Sequence, residues 1–361
     1  MKRVGFLFDR AFTPEALLAA FHAAARHKHG KRACFNFETH LASHLDSLHR
    51  ELHDGSYRPR PYYSFMVYEP KARRIFAPAF RDLVVQHAIY AVAGPIFDRT
   101  FIDQSFACRI GYGTHKAADY AQAALQACPR DSYTLKLDIR KFFYRIDRAI
   151  LRGLIERKIK DRRFVGLMMQ FADHGEPVGI PIGNLLSQLY ALIYLNPLDH
   201  FIKRTLGVKA YCRYVDDFVL FGITRERALA LRACIVDFIA WLALELSKST
   251  ITRVSRGVNF VGYRTWATRR FVRRHSLYTF RKAVRKGDTE ATASCLGHAR
   301  NTHSLQHMLR YFKEHHHADP SLSEAHHPDH YPRTGLPGRR ESPAPRQRAG
   351  DRGWDYLCQC A

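Results

Sequence analysis

The chain is short of acid. Its 361 residues hold 33 Asp and Glu against 57 Lys and Arg, a formal charge of +24 with His neutral. It also lacks any uncharged apolar run of about 18 residues. The longest apolar stretches, 16–25 and 228–246, carry His, Arg, Asp or Glu, so no spanning helix and no membrane residence is expected. Paired C-x-x-C units are absent. Eight Cys lie scattered at 34, 108, 128, 212, 234, 295, 358 and 360, which excludes a zinc ribbon or a disulfide framework and suits a reducing cytoplasm. Asp9 and Arg10 stand where a secretory signal needs apolar residues, so a cytoplasmic location is expected. What is present is a hydrophobic fraction of 46%, enough to bury the core of one large domain or of two to three packed subdomains. Self-repulsion at +24 opposes compaction, and its usual compensation is a polyanionic partner. Composition favours nucleic acid over an anionic membrane surface.

Periodicity orders the chain. Thr13-Pro14 reads as a helix start, and Leu41, Leu45, Leu48 and Leu52 form one face of a helix over 37–52 that ends at Asp54-Gly55. A strand is expected over 62–68, a helix over 81–93 and a strand over 133–139. A loop at 177–183 feeds a helix over 184–195, and a helical segment covers 305–312. From 315 onward, Pro, His and Arg replace aliphatic residues, and 315–361 is expected to be a disordered tail whose His clusters are more simply solvated than metal-binding.

The chemistry concentrates at Tyr214-Val215-Asp216-Asp217. Apolar runs on both sides predict a tight antiparallel hairpin with the acid pair in its turn. Adjacent carboxylates against a core repel each other unless cations neutralise them. Asp138 interrupts the apolar alternation of Leu135, Leu137 and Ile139 in a neighbouring strand. Three acids from two strands make an oxygen-only nest suited to Mg²⁺, and two such ions serve nucleotidyl transfer.

Seven blocks in order then resemble one family. They are Arg73-Arg74-Ile75 to Pro78 with Arg81-Asp82; Ser105-Phe106-Ala107-Cys108-Arg109 with Gly111, Gly113-Thr114-His115; Leu137-Asp138-Ile139 to Phe143; Gly179-Ile180-Pro181-Ile182-Gly183-Asn184 to Ser187-Gln188; Tyr214 to Asp217; Lys248; and Phe260-Val261-Gly262-Tyr263. From about 35 to 312 the chain resembles a reverse transcriptase. The resemblance implies an α+β right-hand polymerase fold. An N-terminal helical extension (1–34) precedes fingers (35–130), a palm of antiparallel sheet plus helices (131–265) and a short helical thumb (266–314). Relatives of intron and retron type usually carry Gln-Gly-x-x-x-Ser-Pro where this chain has Ile182-Gly183-x-x-x-Ser187-Gln188. That pattern, with Gly297-His298-Ala299-Arg300 and Leu305, resembles the enzymes of diversity-generating retroelements, which copy a template RNA with errors at adenines. Leu83 departs from the family, which usually has Arg there, and reads as a lost helix-surface contact.

The resemblance implies roles residue by residue. Asp138 and Asp216 hold metal with Ile139 beside them, and Asp217 adds chiefly local charge; the ions are two Mg²⁺, with Mn²⁺ a substitute. Lys248 protonates the leaving pyrophosphate. Lys71, Arg73 and Arg74 meet the incoming triphosphate, whereas Phe143 excludes a 2′-hydroxyl and Phe142 is a core aromatic. Gly183, Ser187 and Gln188 line the nucleotide seat. Ile182 replaces a hydrogen-bonding Gln, which relaxes geometric selection. Loss of one hydrogen bond, worth about 1 kcal/mol, gives only several-fold infidelity. Arg109, Tyr214, Gly262, Arg273, Arg274, Arg281 and Lys282 contact nucleic acid, within a stripe that includes Arg269, Arg270, Arg285 and Lys286.

The expected partners are template RNA and its cDNA, deoxynucleoside triphosphates, and a pentameric accessory variability protein, in a bacterial or phage-infected cell. The alternatives are a retron, abortive-infection or group II intron-like enzyme, disfavoured for introns by the lack of nuclease ligands after 312, and a catalytically silent RNA-binding protein. The three acids and the aromatic gate argue against silence.

Overall fold

In the computed structural model, residues 3–68 and 72–315 are described; Lys71 and nearly all of the expected tail lie outside them. Helices α1 (Leu7–Ala11) and α2 (Pro14–Ala25) open the chain, and the Thr13 hydroxyl accepts the Ala16 amide at 3.1 Å where the cap was expected. The helix expected over 37–52 is two, α3 (Arg32–Thr39) and α4 (Leu41–Asp54), because the chain turns at His40 (φ −122°). The leucine face still decides the packing of α4, with Leu48 and Leu52 buried and Leu41 and Leu45 against the core edge.

A two-stranded hairpin follows, β1 (Tyr63–Val67) against β2 (Arg73–Ala77). Helix α5 (Phe80–Asp98) runs further than the expected 81–93, passing through Pro95. Its Asp82, 1% exposed, accepts the Tyr57 hydroxyl at 2.6 Å and the Arg60 amide at 2.9 Å, so this acid anchors the approach to the hairpin. Leu83 packs against the main core instead of marking a lost surface contact. Leu7, Phe12, Leu17 and Phe21 share that core with Val84 and Ile89 of α5.

Next come α6 (Thr114–Ala127), β3 (Tyr133–Ile139), α7 (Phe142–Arg145), α8 (Arg148–Glu156), α9 (Arg162–Ala172) and α10 (Leu185–His200), the last continuing as a π turn over Phe201–Thr205. The Asn184 side chain caps α10 by accepting the Leu186 amide at 2.9 Å. Every residue from Leu186 to Leu195 is buried, so α10 is a central rod with no solvent face there. Strands β4 (Tyr211–Tyr214) and β5 (Asp217–Ile223), helix α11 (Arg225–Trp241) and strand β6 (Leu246–Arg253) complete an antiparallel sheet in the order β4-β5-β3-β6.

Strand alternation divides this sheet. Leu135, Leu137, Phe218 and Leu220 point into the main core, whereas Cys212, Val219 and Phe221 point the other way, into a smaller core with Ala117 and Ala121 of α6. On that second face Asp138 is half-buried and Lys248 exposed, beyond the reach of the smaller core. Strands β7 (Val258–Phe260), β8 (Tyr263–Thr265) and β9 (Arg270–Val272) lead to α12 (Arg274–Lys286), α13 (Thr289–Ala299) and α14 (Leu305–His315), which pack around Tyr263, Val272, Phe280, Leu296 and Met308. The fold is α+β with the palm-like antiparallel sheet expected of a right-hand polymerase.

Three residues assigned to nucleic-acid contact are committed to packing within the protein. Arg109 is 7% exposed; its Nε donates to Asp98 at 2.7 Å, its Nη1 to the carbonyls of Ile102 and Ser105 at 2.8 and 3.1 Å, and its guanidinium lies 4.0 Å over the Tyr112 ring. Arg270, 3% exposed, donates to Asp119 and Gln122, both at 2.8 Å. Gly262 (φ +88°) faces His298, whose Nε2 would stand 2.9 Å from an added Cβ, so its missing side chain makes room for α13. Arg109→Ala removes the donor shared by Asp98 and the Ile102 and Ser105 carbonyls and is expected to cost about 2–3 kcal/mol in urea unfolding while leaving the salt dependence of RNA binding unchanged. A changed salt slope at unchanged stability would instead return Arg109 to the nucleic-acid surface.

Candidate active site

The site is assembled by register. Asp138 of β3 lies opposite Asp217 of β5 on one side and Lys248 of β6 on the other, so all three side chains share one sheet face. Asp216 sits in the β4–β5 turn, and its carbonyl accepts the Ile139 amide at 3.3 Å, tying the turn to the end of β3. The Ile139 side chain is buried in the main core, so only its backbone carbonyl can face an ion.

Each acid is held differently. The Ser247 hydroxyl donates to the Asp138 carboxylate. Lys136, two residues before Asp138 and therefore on the same face, donates from Nζ to Asp217 Oδ2 at 2.7 Å and to the Asn259 carbonyl at 2.6 Å. Burial, then the charge of Asp138, pushes the Asp216 carboxyl up to about 6; Arg73 and Arg213 pull against this. Burial also pushes Asp217 up to about 6, opposed by Lys136 and reinforced by Asp138 and Asp216. Two mutually repelling, half-buried acids gain from a cation between them.

The donor set fits a hard divalent ion. It offers carboxylate oxygens only, and the buried Oδ1 of Asp217 has no hydrogen-bond partner. Among the described residues, the set of His, Cys, Asp or Glu ligand atoms lying within 4.8 Å of one another is His29, Cys34 and Glu38, far along the chain from these acids.

Around the acids the expected pocket residues divide. Arg73 is exposed on β2 and close enough for its charge to act on Asp216. Arg74 points to the other face of the hairpin, pairing with Glu176 at 3.4 Å and lying 5.2 Å over the Phe76 ring. Phe143 is half-buried, edge-on to Phe142 at 5.6 Å, and Phe142 is the core aromatic, 2% exposed. Gly183 (φ +98°) lies under the hairpin, where an added Cβ would stand 2.6 Å from Ile75 Cγ2. The Ile182 carbonyl accepts the Phe76 amide at 2.7 Å, pinning β2 to this loop.

Ile182, Ser187 and Gln188 are 8%, 1% and 6% exposed, which makes them supports of the seat with little surface to offer a nucleotide. Tyr214 packs against the smaller core. Arg273, Arg274, Arg281 and Lys282 are exposed on and before α12, where Phe280, Ala283 and Val284 take the buried side.

Lys136, Ser247, Arg213 and Asp199 were not singled out from the sequence. Period-two alternation could have found Lys136 beside Asp138. Arg213 and Asp199 carried a subtler sign, one charge of each polarity inside two otherwise apolar runs.

The family described as reverse transcriptase (RNA-dependent DNA polymerase) matches residues 71–265, more than half of the chain. The chain belongs to the reverse transcriptase family. This reverse transcriptase is 28% identical over 277 residues to Protein YkfC of Escherichia coli K12, covering 63% of this chain and 72% of that protein. It is 30% identical over 170 residues to the group II intron-encoded protein LtrA of Lactococcus lactis, covering 44% of this chain and 28% of LtrA. Among solved structures, telomerase from Candida albicans with a fragment of telomeric RNA aligns with a TM-score of 0.46 at 11% identity, and apo telomerase from Candida tropicalis with 0.48 at 12%. These alignments cover 72% and 71% of this chain and 57% of each telomerase chain.

The raised carboxyls of this reverse transcriptase set a pH dependence. A folded pKa near 6 against 3.8 unfolded means the folded state holds the proton more tightly, so stability falls as pH rises from about 4 to 6 and stays lower above. In chelator, Asp216→Asn should therefore stabilise the protein at pH 8 by roughly 1–2 kcal/mol, after discounting for partial exposure, and by little at pH 4. Equal melting shifts at both pH values would show that the carboxylate is not strained.

Proposed function

We propose that this protein copies a template RNA into cDNA by nucleotidyl transfer at Asp138, Asp216 and Asp217. The observation that carries the reading is the register that sets Asp138 against Asp217 on the open face of the sheet, with Asp216 in the adjoining turn. Asp138, Asp216 and Asp217 would hold two Mg²⁺ ions, which would supply charge neutralisation at the triphosphate and activation of the primer hydroxyl. The chain's own residues do the rest. Arg73 reaches over the acids from the hairpin and binds the triphosphate, with Lys71 nearby in sequence. Lys248, opposite Asp138, gives a proton to the departing pyrophosphate. Phe143 occupies the space a 2′-hydroxyl would need. The exposed face of α12, with Arg274, Arg281 and Lys282, grips the RNA–DNA hybrid through its backbone.

The finer reading is a diversity-generating enzyme, error-prone at adenines and working with an accessory variability protein in the cytoplasm. Support comes from Ile182 and Gln188 in place of Gln and Pro, and from the thumb block at Gly297 to Arg300. A second reading, an intron-type enzyme, is favoured by the 30% identity to LtrA.

Extension of a DNA primer on an RNA template with deoxynucleotides and Mg²⁺ tests the polymerase reading: Asp216→Ala should lose on the order of a thousandfold or more. A wild type inactive both alone and with candidate template RNAs would sink it. Sequencing of the cDNA separates the two finer readings. Substitutions concentrated at template adenines, and reduced several-fold by Ile182→Gln, support the diversity-generating enzyme. Errors spread evenly over the four bases support the intron type. Neutralising Arg274 and Arg281 together should weaken hybrid binding and shrink the slope of log affinity against log salt by roughly one per charge.

A further inference from the structure

Arg213 and Asp199 are both fully buried, directly behind the acid turn. Arg213 donates from Nε to Asp199 Oδ1 at 2.7 Å and from Nη2 to Asp199 Oδ2 at 2.5 Å. An ion pair serving only the core would be complete with these two bonds. Here the guanidinium goes on to donate from Nη1 to the Val215 carbonyl at 2.9 Å and from Nη2 to the Ser105 hydroxyl at 3.1 Å. The Val215 carbonyl belongs to the turn residue immediately before Asp216.

That turn needs holding. Val215 is β-branched, yet its φ is +54°, in the left-handed region that such residues avoid. The bond from Arg213 falls on the carbonyl of this strained residue. The clamp is itself fixed from three sides. Asp199 lies near the end of the buried rod α10, and the Tyr211 hydroxyl also donates to its Oδ1 at 2.7 Å. The segment bearing Ser105 is laced to β4 by the Arg213 amide to the Gln104 carbonyl at 2.9 Å and the Phe106 amide to the Arg213 carbonyl at 3.0 Å.

We infer that Arg213 is a positioning residue that, with Asp199 and Ser105, holds the strained turn in the one conformation that presents the Asp216 carboxylate toward Asp138. The inference deepens the polymerase reading and rests on it for the role of Asp216. A lysine, with a single ammonium point, cannot serve Asp199 in two places and Val215 at once, so Arg213→Lys keeps the charge and removes the clamp.

The test compares wild type, Arg213→Lys, Ser105→Ala and Asp216→Ala for binding of Mn²⁺ alone, followed by electron paramagnetic resonance, and for primer extension. Melting temperature and circular dichroism establish folding. A folded Arg213→Lys is expected to bind Mn²⁺ about tenfold more weakly and to lose kcat by a similar or larger factor, with KM for the nucleotide within about twofold. Ser105→Ala should give a smaller loss of the same kind.

A folded Arg213→Lys with wild-type Mn²⁺ affinity and kcat overturns the inference. If Arg213→Lys does not fold, Ser105→Ala decides: weakened Mn²⁺ binding supports the clamp, and unchanged binding overturns it. If the wild type proves to have no polymerase activity but Arg213→Lys still weakens Mn²⁺ binding that Asp216→Ala abolishes, the clamp stands and the polymerase reading falls.

Discussion

The site depends on the antiparallel register of β3 and β5. Side chains alternate across a strand, so a slip of one residue would send Asp138 into the core occupied by Leu135 and Leu137 and bring a leucine to the open face. Nothing in the acids themselves favours the observed pairing, since Asp138 and Asp217 repel. The apolar residues enforce it. Leu135, Leu137, Phe218 and Leu220 are all removed from water on the far face, each contributing about 1.5–3 kcal/mol by burial, which outweighs the repulsion between two partly solvated carboxylates. The hydrophobic core thus compels an arrangement of charge that would not form by itself.

Once that arrangement is imposed, the surroundings moderate its cost. Lys136 neutralises Asp217 from the same face, Ser247 bonds Asp138, and Arg73 reaches across from a separate hairpin. None of the three lies on the same strand as the acid it serves: Lys136 is on β3, Ser247 on β6 and Arg73 on β2. Arg73 depends on the seating of β2, which in turn depends on the Ile182 carbonyl and on the absence of a side chain at Gly183. The loop before α10 therefore connects the packing of the central rod to the electrostatics of the acids, although Ile182 presents little surface to a nucleotide.

Much of this was legible in the sequence, and the residues that were not share a cause. Strand β3, the acid hairpin and the cap of α2 follow from alternation and local hydrogen bonding, which are properties of adjacent residues. The break at His40 was hidden because Leu41, Leu45, Leu48 and Leu52 keep helical spacing whether or not the chain bends just before them. Ser187 and Gln188 were assigned to the nucleotide seat through the motif block they belong to, but this part of α10 is enclosed and both side chains are buried. Arg109 and Arg270 are buried where nucleic-acid contact was expected, since a single sequence cannot distinguish an arginine facing solvent from one whose acid partner comes from elsewhere in the chain.

These buried arginines refine the meaning of the charge. Arg109, Arg213 and Arg270 are each at most 7% exposed and paired with Asp98, Asp199 and Asp119. They add nothing to a nucleic-acid surface, and removing them with their partners leaves the excess of +24 unchanged. The charge available to a polyanion must therefore come from exposed, unneutralised positions. Among the described residues α12 offers a run of them, where the apolar side of the helix is committed to Phe280, Ala283 and Val284 and the basic side has no acid among its own residues. A helix of this kind tolerates its self-repulsion because its apolar face is locked against α13 and α14, which keeps the repelling side chains available to another molecule.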